Sequence, residues 1–358
     1  MAPARTLRTP AALVAAALVP PERLAALEQV AARYAVSLTS DVVDLIHSDD
    51  GTDPIARQFV PDPGELVVRP EERADPIGDD ARSPVEGIVH RYPDRVLLKL
   101  VHICPVYCRF CFRRESVGPG HRRWLSRAAL VRALDYIRAR PQIWEVILTG
   151  GDPLVLSPRR LREVVGALER IEHVKIVRVH TRVPVVAPAR VTLDVVRAIK
   201  ARGKATYVVL HANHPRELSA RARAACARII DAGIPMLSQS VLLRGVNDEP
   251  DTLAALMRTL VENRIKPYYL HHGDLAPGTS HLRATIPQGQ ALIRALHGRL
   301  SGLCQPTYVL DIPGGHGKSP IGPSYLKRVA SAGEEARFEI EDFNGVSHLY
   351  PPARQDDS

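Results

Sequence analysis

From about residue 96 onward, short runs typical of β-strands alternate with amphipathic stretches typical of α-helices. This alternation requires an α/β fold with a parallel sheet whose strands are joined by right-handed helical crossovers. Seven predicted strands in one series favour a barrel or partial barrel over an open sheet, and the pattern leaves closure open. The predicted strands read VLLKLVHI, WEVILT, VKIVRVH, ATYVVL, PMLSQSV, PYYLH and PTYVLD.

The segments on either side of this alternation predict less regular structure. Residues 1–85 begin with helical spacing and continue into a stretch rich in proline, glycine and aspartate. Residues 326–358 read as a polar tail that contains proline. The predicted division is therefore an N-terminal helical and loop region, a main α/β domain over residues 86–325, and a C-terminal tail.

Composition limits the location of the protein. No apolar run approaches the roughly 20 residues that span a bilayer. The longest run, Ala11–Val19, reads as a short amphipathic helix that begins at Thr9 and Pro10. Five cysteines, three of them in one tight cluster, argue against a secreted disulfide framework. We therefore expect a cytoplasmic protein with no membrane segment.

The net charge of +9 could indicate a nucleic-acid partner. However, the arginines are spread along the chain, without basic blocks interleaved with aromatic residues. Aromatic residues make up only 5% of the chain, too few for an evident base-stacking surface. We therefore expect a solvated basic surface and no nucleic-acid partner, and attraction to an acidic protein stays open.

Unusual polar and glycine-rich residues follow most of the predicted strands. In parallel α/β barrels the active site forms at the carboxyl ends of the strands. The cysteine cluster follows the first predicted strand, GGDP the second, HTR closes the third and HANH follows the fourth. Gln239, Asp274 and Asp311 lie at or just after the ends of three later strands. We expect these groups to share one face of the barrel.

The segment CPVYCRFC holds three cysteines, and this spacing most constrains the chemistry. Cys104, Cys108 and Cys111 form the pattern C-x3-C-x2-C. A zinc site usually needs four protein ligands, and neither Cys226 nor Cys304 is an evident fourth. Iron–sulfur clusters favour short loops with several cysteines, and three ligands would leave one iron of a 4Fe-4S cluster open for chemistry. An iron–sulfur site is favoured over zinc or a purely structural role.

The glycine-rich segment DIPGGHGKSP contains Lys318. Its GHGKS sequence is not a phosphate-binding P-loop, because Ile312 stands where that motif needs its first glycine. Of the seven lysines, only Lys318 is predicted on a mobile glycine-rich loop at the active face. A shielded lysine there can lose its proton and bond to a carbonyl cofactor. A flexible surface loop is the alternative interpretation.

The cysteine loop, with an aromatic residue directly before the third cysteine, resembles the signature of the radical S-adenosylmethionine (SAM) superfamily. The resemblance implies a partial (β/α) TIM-like barrel with an N-terminal helical extension. It also implies that Cys104, Cys108 and Cys111 hold a 4Fe-4S cluster whose open iron binds SAM. The segment TGGDP stands where that family has its glycine–glycine–acid motif. The resemblance implies that this segment receives the amino group of SAM, and its residues are Gly150, Gly151 and Asp152.

From about residue 85 to residue 325 the chain resembles lysine 2,3-aminomutase and its relatives, which also use pyridoxal 5′-phosphate (PLP). HRYPDRVLL, SQSVLLRGVND and PYYLHHGDL are further matching segments. The resemblance implies that Lys318 carries PLP, that Arg91 and Arg95 hold its phosphate, and that Gln239 lines the cofactor site. It also implies that Arg113 clamps the substrate carboxylate, while Asp274 and Asp311 hold the distal ammonium of lysine, a role that suits paired acids.

The implied activity is isomerisation of L-lysine to β-lysine, with a flavodoxin, ferredoxin or reductase as electron donor and a homo-oligomeric assembly. The chain ends 40 residues after Lys318, and this short form resembles the branch that supplies β-lysine for modification of elongation factor P. One alternative is a radical SAM enzyme that acts on another amino acid, with or without PLP. The other is a zinc-containing nucleic-acid-binding module.

Overall fold

The computed structural model describes residues 6–47, 51–118, 120, 123–329 and 337–352. The predicted N-terminal region and C-terminal tail therefore extend in part outside the described residues. The α-helices are α1 Pro10–Ala15, α2 Leu24–Arg33, α3 Ser40–Val43, α4 Ala56–Phe59, α5 Arg127–Arg138, α6 Pro158–Glu169, α7 Val183–Val186, α8 Leu193–Ile199, α9 Ala220–Asp231, α10 Pro250–Glu262 and α11 Ile286–Leu296. The strands are β1 Ile88–Tyr92, β2 Arg95–Val101, β3 Glu145–Gly150, β4 Ile176–Thr181, β5 Ala205–His211, β6 Met236–Val241, β7 Ile265–His271, β8 Thr307–Ile312, β9 Gly317–Pro320, β10 Leu326–Val329, β11 Arg337–Glu341 and β12 Ser347–Tyr350.

Nine strands form one curved sheet in the order β1 to β9. Strands β2 to β8 are parallel neighbours, and they are the seven strands predicted from the sequence. The helices between them bury their apolar faces in one continuous core, as Leu130, Leu161 and Leu253 do. The fold is therefore a nearly closed, partial (β/α) barrel preceded by N-terminal helices.

The first and last strands of the sheet were not predicted, and they come together at a seam that side chains bridge. Strand β1 runs antiparallel to β2, and β9 runs antiparallel to β8. Across the seam, the amide of Lys318 donates to Tyr92 Oη at 2.6 Å, and Arg82 Nε donates to Gly315 O at 3.2 Å. The seam joins the predicted lysine segment to the segment around β1.

The N-terminal region lies against the cysteine loop. Ser37 Oγ donates to Pro105 O at 2.8 Å, and the Arg109 amide donates to Gln58 O at 2.8 Å. The Arg109 guanidinium binds Glu65 through two hydrogen bonds of 2.9 and 2.5 Å, and both side chains are buried. Residues that are distant in sequence therefore fix the shape of the loop that carries the cysteines.

The polar tail predicted after residue 325 is in part a small antiparallel sheet of β10, β11 and β12. Its strands are only four or five residues long, and of the three only β11, with the sequence RFEIE, alternates polar and apolar residues, so the sequence pattern does not reveal them. No helix in the described ranges is both long and apolar enough to cross a membrane.

Candidate active site

The three clustered cysteines lie in one loop directly after β2. Cys104, Cys108 and Cys111 are half-buried free thiols. Burial raises the pKa of all three, to about 11 at Cys108. No three His, Cys, Asp or Glu side chains of the described chain gather as ligands of a single metal ion. A 4Fe-4S cluster takes its cysteines on separate irons, so three spaced thiols fit such a cluster, which would release their protons on binding.

The predicted glycine–glycine–aspartate segment lies against the backbone that leads into the cysteine loop. The amides of Gly151 and Asp152 donate to the carbonyls of Val101 and Ile103 at 2.6 and 3.0 Å. A Cβ at Gly150 would lie 2.3 Å from Val101 O, and one at Gly151 would lie 2.2 Å from Ile103 O. Gly150 also has a φ of +113°, so this close approach requires glycine. The two glycines form a backbone cradle beside the cysteines, into which a Cβ would intrude.

The carboxylate of Asp152 is occupied by hydrogen bonds within the protein. It accepts from the Thr181 hydroxyl at 2.8 Å and from the amides of Arg182 at 2.7 Å, Leu154 at 3.0 Å and Val183 at 3.1 Å. Asp152 is buried, and burial raises its pKa despite these bonds. Its side chain therefore ties the end of β3 to the end of β4, and contact with SAM through Asp152 stays a prediction.

Lys318 lies on β9 rather than on the mobile loop predicted from its glycines. Pairing with β8 orders the segment and sets Lys318 opposite Asp311 in the antiparallel register. Lys318 Nζ donates to Asp311 Oδ1 at 2.7 Å, and His271 Nδ1 donates to Oδ2 at 3.2 Å. Burial raises the pKa of Asp311, but the hydrogen bond from His271 and the charge and hydrogen bond of Lys318 outweigh this and hold it well below its usual range. Asp311 is therefore an ionised acid that already binds an alkylammonium.

Asp274 lies just beyond β7 in the same charged group. Its Oδ1 atom is buried without a hydrogen-bond partner. Burial, followed by the charge of Asp311, raises the pKa of Asp274 to about 8. At neutral pH Asp274 is therefore protonated beside the ionised Asp311. A second cation would let both acids ionise together.

Asp79 joins two of the predicted ligand-binding arginines. Arg91 Nη2 donates to Asp79 Oδ1 at 3.0 Å, while Arg113 Nε and Nη2 donate to Asp79 Oδ2 at 3.0 and 2.8 Å. Arg113 Nη1 lies 3.5 Å from Gly150 O, and Arg91 Nη1 lies 3.6 Å from Asp311 Oδ1. Arg113 therefore contacts the glycine cradle, and Arg91 contacts the acid that holds Lys318. Asp79 was missed because its loop carries several acids that the sequence does not distinguish.

The four residues predicted to hold PLP line one cavity, whose other lining residues come from strands on several sides of the barrel. These four are Arg91, Arg95, Gln239 and Lys318. Arg95 lies over the Tyr92 ring, 3.8 Å from its centroid, and it is the least buried of the predicted arginines. Three guanidinium groups, those of Arg91, Arg95 and Arg178, line the cavity together with Lys318. Such a set is suited to an anionic ligand that carries a carbonyl group.

The sequence marks three histidines of the barrel strands as polar positions but does not indicate a role for them. His180 and His211 have buried Nε2 atoms without a partner, and their rings lie 5.7 Å apart. Burial lowers the pKa of His180, His211 and His271, to about 3 at His211, so all three are neutral at pH 7. Polar residues at alternating strand positions, such as Arg178 and His180 in VRVH, are the sequence signal of a polar barrel interior.

The arrangement can bind a zwitterionic ligand with a second positive charge. Arg113 presents a guanidinium beside the glycine cradle, and Asp274 and Asp311 form an acidic pair. Lys318 bonds to Asp311 of that pair and lines the cavity that also holds Arg91, Arg95 and Gln239. The Arg113 guanidinium, the acidic pair and Lys318 thus lie near the cysteine loop, which fits an iron–sulfur cluster.

Two family models match the chain. The Radical SAM superfamily model matches residues 98–257, a range that contains the cysteine loop and the glycine cradle. A model described as Lysine-2,3-aminomutase matches residues 293–356, a range that contains Asp311 and Lys318.

Individual relatives match most of the chain. The L-lysine 2,3-aminomutase of Clostridium subterminale is 39% identical over 315 residues, which cover 88% of this chain and 74% of the relative. The Glutamate 2,3-aminomutase of Clostridioides difficile is 33% identical over 302 residues, which cover 84% of this chain and 70% of the relative. A solved radical SAM methyltransferase from Sphaerobacter thermophilus aligns with a TM-score of 0.45 and 20% identity, covering 62% of this chain and 68% of that chain.

Proposed function

Because the chain belongs to the lysine 2,3-aminomutase family of radical SAM enzymes, we propose that it isomerises L-lysine to β-lysine by moving the 2-amino group to C3. Membership in the family makes the protein an aminomutase-type isomerase with an amino-acid substrate, a 4Fe-4S cluster and SAM. The identity of the substrate, the use of PLP and the roles of individual residues are what we propose.

The contact between Lys318 and Asp311 carries the proposal for lysine. Asp311 binds the Lys318 ammonium at 2.7 Å, and the nearby Asp274 has a buried oxygen atom without a partner. An alkylammonium that leaves water needs anions nearby, and two acids meet that need. The distal carboxylate of glutamate, the substrate in the name of one relative, would instead be repelled by the ionised Asp311.

The remaining roles follow from the charges of the site. Arg113 binds the substrate carboxylate, and Asp274 and Asp311 bind the distal ammonium, so the substrate is held at both ends. The buried surroundings of these groups exclude water and stray hydrogen donors. When bound, PLP and SAM supply the amino migration and the radical chemistry, which no side chain of the protein can perform.

We propose Lys318 as the lysine that binds PLP covalently, with Arg91 and Arg95 near its phosphate and Gln239 beside it. Borohydride reduction of the PLP-loaded protein, followed by peptide mass spectrometry, should place the pyridoxyl group on Lys318. Lys99 is the rival position, because it is half-buried and burial lowers its pKa. The Lys318→Ala variant should lose the label and the visible absorption of PLP, whereas Lys99→Ala should keep both. A label on Lys99 would contradict the assignment.

The function is tested with anaerobically reconstituted enzyme, dithionite, SAM and PLP. We expect L-lysine to give β-lysine, detected by chromatography after derivatisation, and L-glutamate to give no detectable product. Turnover of glutamate in preference to lysine would overturn the roles of Asp274 and Asp311. Turnover of neither would overturn the proposed function.

Further predictions from the sequence remain proposals. These are cytoplasmic location, homo-oligomeric assembly, a flavodoxin, ferredoxin or reductase as electron donor, and supply of β-lysine for elongation factor P. The relatives described above carry names that refer to amino acids and not to elongation factor P. The alternative prediction of a zinc-containing nucleic-acid-binding module is wrong, since the chain belongs to a radical SAM family.

A further inference from the structure

An open groove of about 800 Å³ lies between the starts of α5 and α6. We name it the Trp124 groove, because the Trp124 side chain is 53% exposed there although it is large and apolar. Val155 and Leu156 contribute further apolar surface to the lining. An exposed aromatic residue within an apolar depression is typical of a surface that a protein partner covers.

Both sides of the groove are tied to the backbone that leads into Cys104. On one side, Leu125 N donates to Leu100 O at 2.9 Å, and His102 N donates to Arg123 O at 3.0 Å. The other side, Val155 and Leu156, follows Asp152, whose amide donates to Ile103 O at 3.0 Å. A partner bound in the groove would therefore contact segments that are hydrogen-bonded to the backbone just before Cys104, a predicted ligand of the cluster.

The rim of the groove is basic. Arg123, Arg127 and Arg160 line it, and Arg190 Nη2 donates to the carbonyl of Val155 at 2.8 Å. The sequence has no aspartate or glutamate from residue 116 to residue 134. The starts of α5 and α6 add the positive ends of two helix dipoles on the same side.

Glu163, which pairs with Arg160 on this rim, responds to the positive charge. The pKa of the exposed Glu163 is lowered, first by its hydrogen bond from Arg160 and also by the charges of Arg127 and Arg159. None of the residues that line the groove is an acid, and Glu163 pairs with only one of its arginines. The groove is therefore complementary to an acidic surface.

The chain has no second set of cysteines that could relay an electron. Besides the three in the loop it has only Cys226 and Cys304, and both are buried, apart from each other in α9 and before β8. A cluster in the cysteine loop must therefore receive its electron from outside the chain.

We propose that the Trp124 groove is the docking surface for a small acidic protein that carries one electron to the cluster held by Cys104, Cys108 and Cys111. This proposal rests on the proposed function, since it assumes a redox cluster in that loop. In the transfer the reduced carrier loses one electron and the cluster gains it, and no bond is formed or broken. The arginines steer and hold the acidic carrier, and Trp124 gives apolar contact at the centre of the interface.

The test compares binding of oxidised flavodoxin, an acidic carrier, to the reconstituted enzyme by isothermal titration calorimetry. The Arg123→Glu/Arg127→Glu double variant should bind at least about tenfold more weakly at low salt. The difference should shrink at high salt, where charges are screened within a few ångströms. Trp124→Ala should also weaken binding, with little change in its salt dependence.

The control is Arg202→Glu, which reverses an exposed arginine at the opposite end of the barrel, just before β5. It should bind flavodoxin nearly as the wild type does. In stopped-flow absorbance, reduction of the cluster by reduced flavodoxin should slow in the double variant, while reduction by dithionite should not change. Equal weakening by Arg202→Glu, wild-type affinity in the double variant, or no binding of flavodoxin to the wild type would each overturn the proposal.

These outcomes are separable from failure of the proposed function. If dithionite-reduced wild-type enzyme converts no lysine, the proposed function fails whatever flavodoxin does. If that enzyme is active and the charge reversals leave flavodoxin binding unchanged, only the docking proposal fails.

Discussion

Two buried ion networks flank the cysteine loop, and they differ in how their carboxylates are satisfied. The clamp network holds the loop against the N-terminal region and consists of Glu65, Arg109 and Arg114. The seam network extends from the seam to the cysteine loop and consists of Asp79, Arg91, Arg113, Asp274, Asp311 and Lys318. In the clamp network, both oxygens of Glu65 accept from arginines. In the seam network, Asp274 has an unpartnered oxygen and Asp311 is bound by the lysine that we propose to carry PLP.

The pKa values of Glu65 in the clamp network and Asp274 in the seam network reflect this difference. Burial raises the pKa of Glu65, but charge and hydrogen bonds from Arg109 and charge from Arg114 outweigh it, so the pKa is lowered. Burial raises the pKa of Asp274 to about 8, because the cations around it do not compensate. A saturated carboxylate stabilises the fold, whereas an unsaturated one is available to a ligand. Buried charge alone does not indicate which role a residue has.

The largest expected effect is on folding, from Glu65→Ala in the clamp network. This substitution leaves the buried guanidinium groups of Arg109 and Arg114 without their anion. We expect the free energy of unfolding to fall by about 3–5 kcal/mol, measured by urea denaturation of the metal-free protein. Glu163→Ala is the control, because it removes an exposed partner of Arg160 and should cost less than about 1 kcal/mol. Equal losses in the two variants would remove the distinction between a structural clamp and a surface ion pair.

In the seam network, Asp311→Ala should affect substrate binding more than folding. Its loss removes the anion that we propose for the distal ammonium, and this should raise KM for lysine about 100-fold or more. Lys318 is 25% exposed, so water can solvate the freed ammonium and the stability loss should be smaller than for Glu65→Ala. Steady-state kinetics and urea denaturation of the same preparation give both numbers. An unchanged KM would place the distal ammonium elsewhere.

Much of the barrel and the cysteine loop could be predicted because their signals are local. Each of the seven predicted strands is one short run, and the three cysteines lie within eight residues. The seam could not be predicted, since β1 and β9 come together only through the curvature of the whole sheet. Glu65 and Asp79 depend on contacts with arginines 44 and 34 residues away in sequence, and no local pattern records such a pairing. Lys318 was predicted from its glycines, but its strand pairing with Asp311 was not.

Asp79→Asn should have a smaller effect than Asp311→Ala. Asp79 is not proposed to touch the substrate, and it only holds the two arginines that are proposed to bind PLP and the substrate. Asp79 holds Arg91 and Arg113 with three hydrogen bonds, and asparagine keeps its shape but loses its charge. We expect KM for lysine to rise about tenfold with a lesser change in kcat, since one charged hydrogen bond contributes about 1.5–3 kcal/mol. PLP affinity, followed by visible absorption, should fall as well, because Arg91 is predicted to hold the phosphate. Asp80→Asn, at an exposed neighbouring acid, is the control. A fall in kcat alone would argue against a positioning role.

The smallest expected effect is a gain of stability in Asp274→Asn that depends on pH. The folded-state pKa of Asp274 is about 8, because burial and the charge of Asp311 raise it more than three nearby cations lower it. These cations are Lys318, Arg113 and Arg91. Between the ordinary aspartate pKa of about 4 and pH 8, the folded protein keeps a proton that the unfolded chain releases, so stability falls as pH rises. Asparagine cannot ionise, so the variant should gain on the wild type by at most about 1.4 kcal/mol from pH 6 to pH 7. Urea denaturation of the two apoproteins at both pH values measures this difference. A gain that is equal at both pH values would mean that Asp274 is already ionised at pH 6, and that the seam network satisfies its acids as fully as the clamp network does.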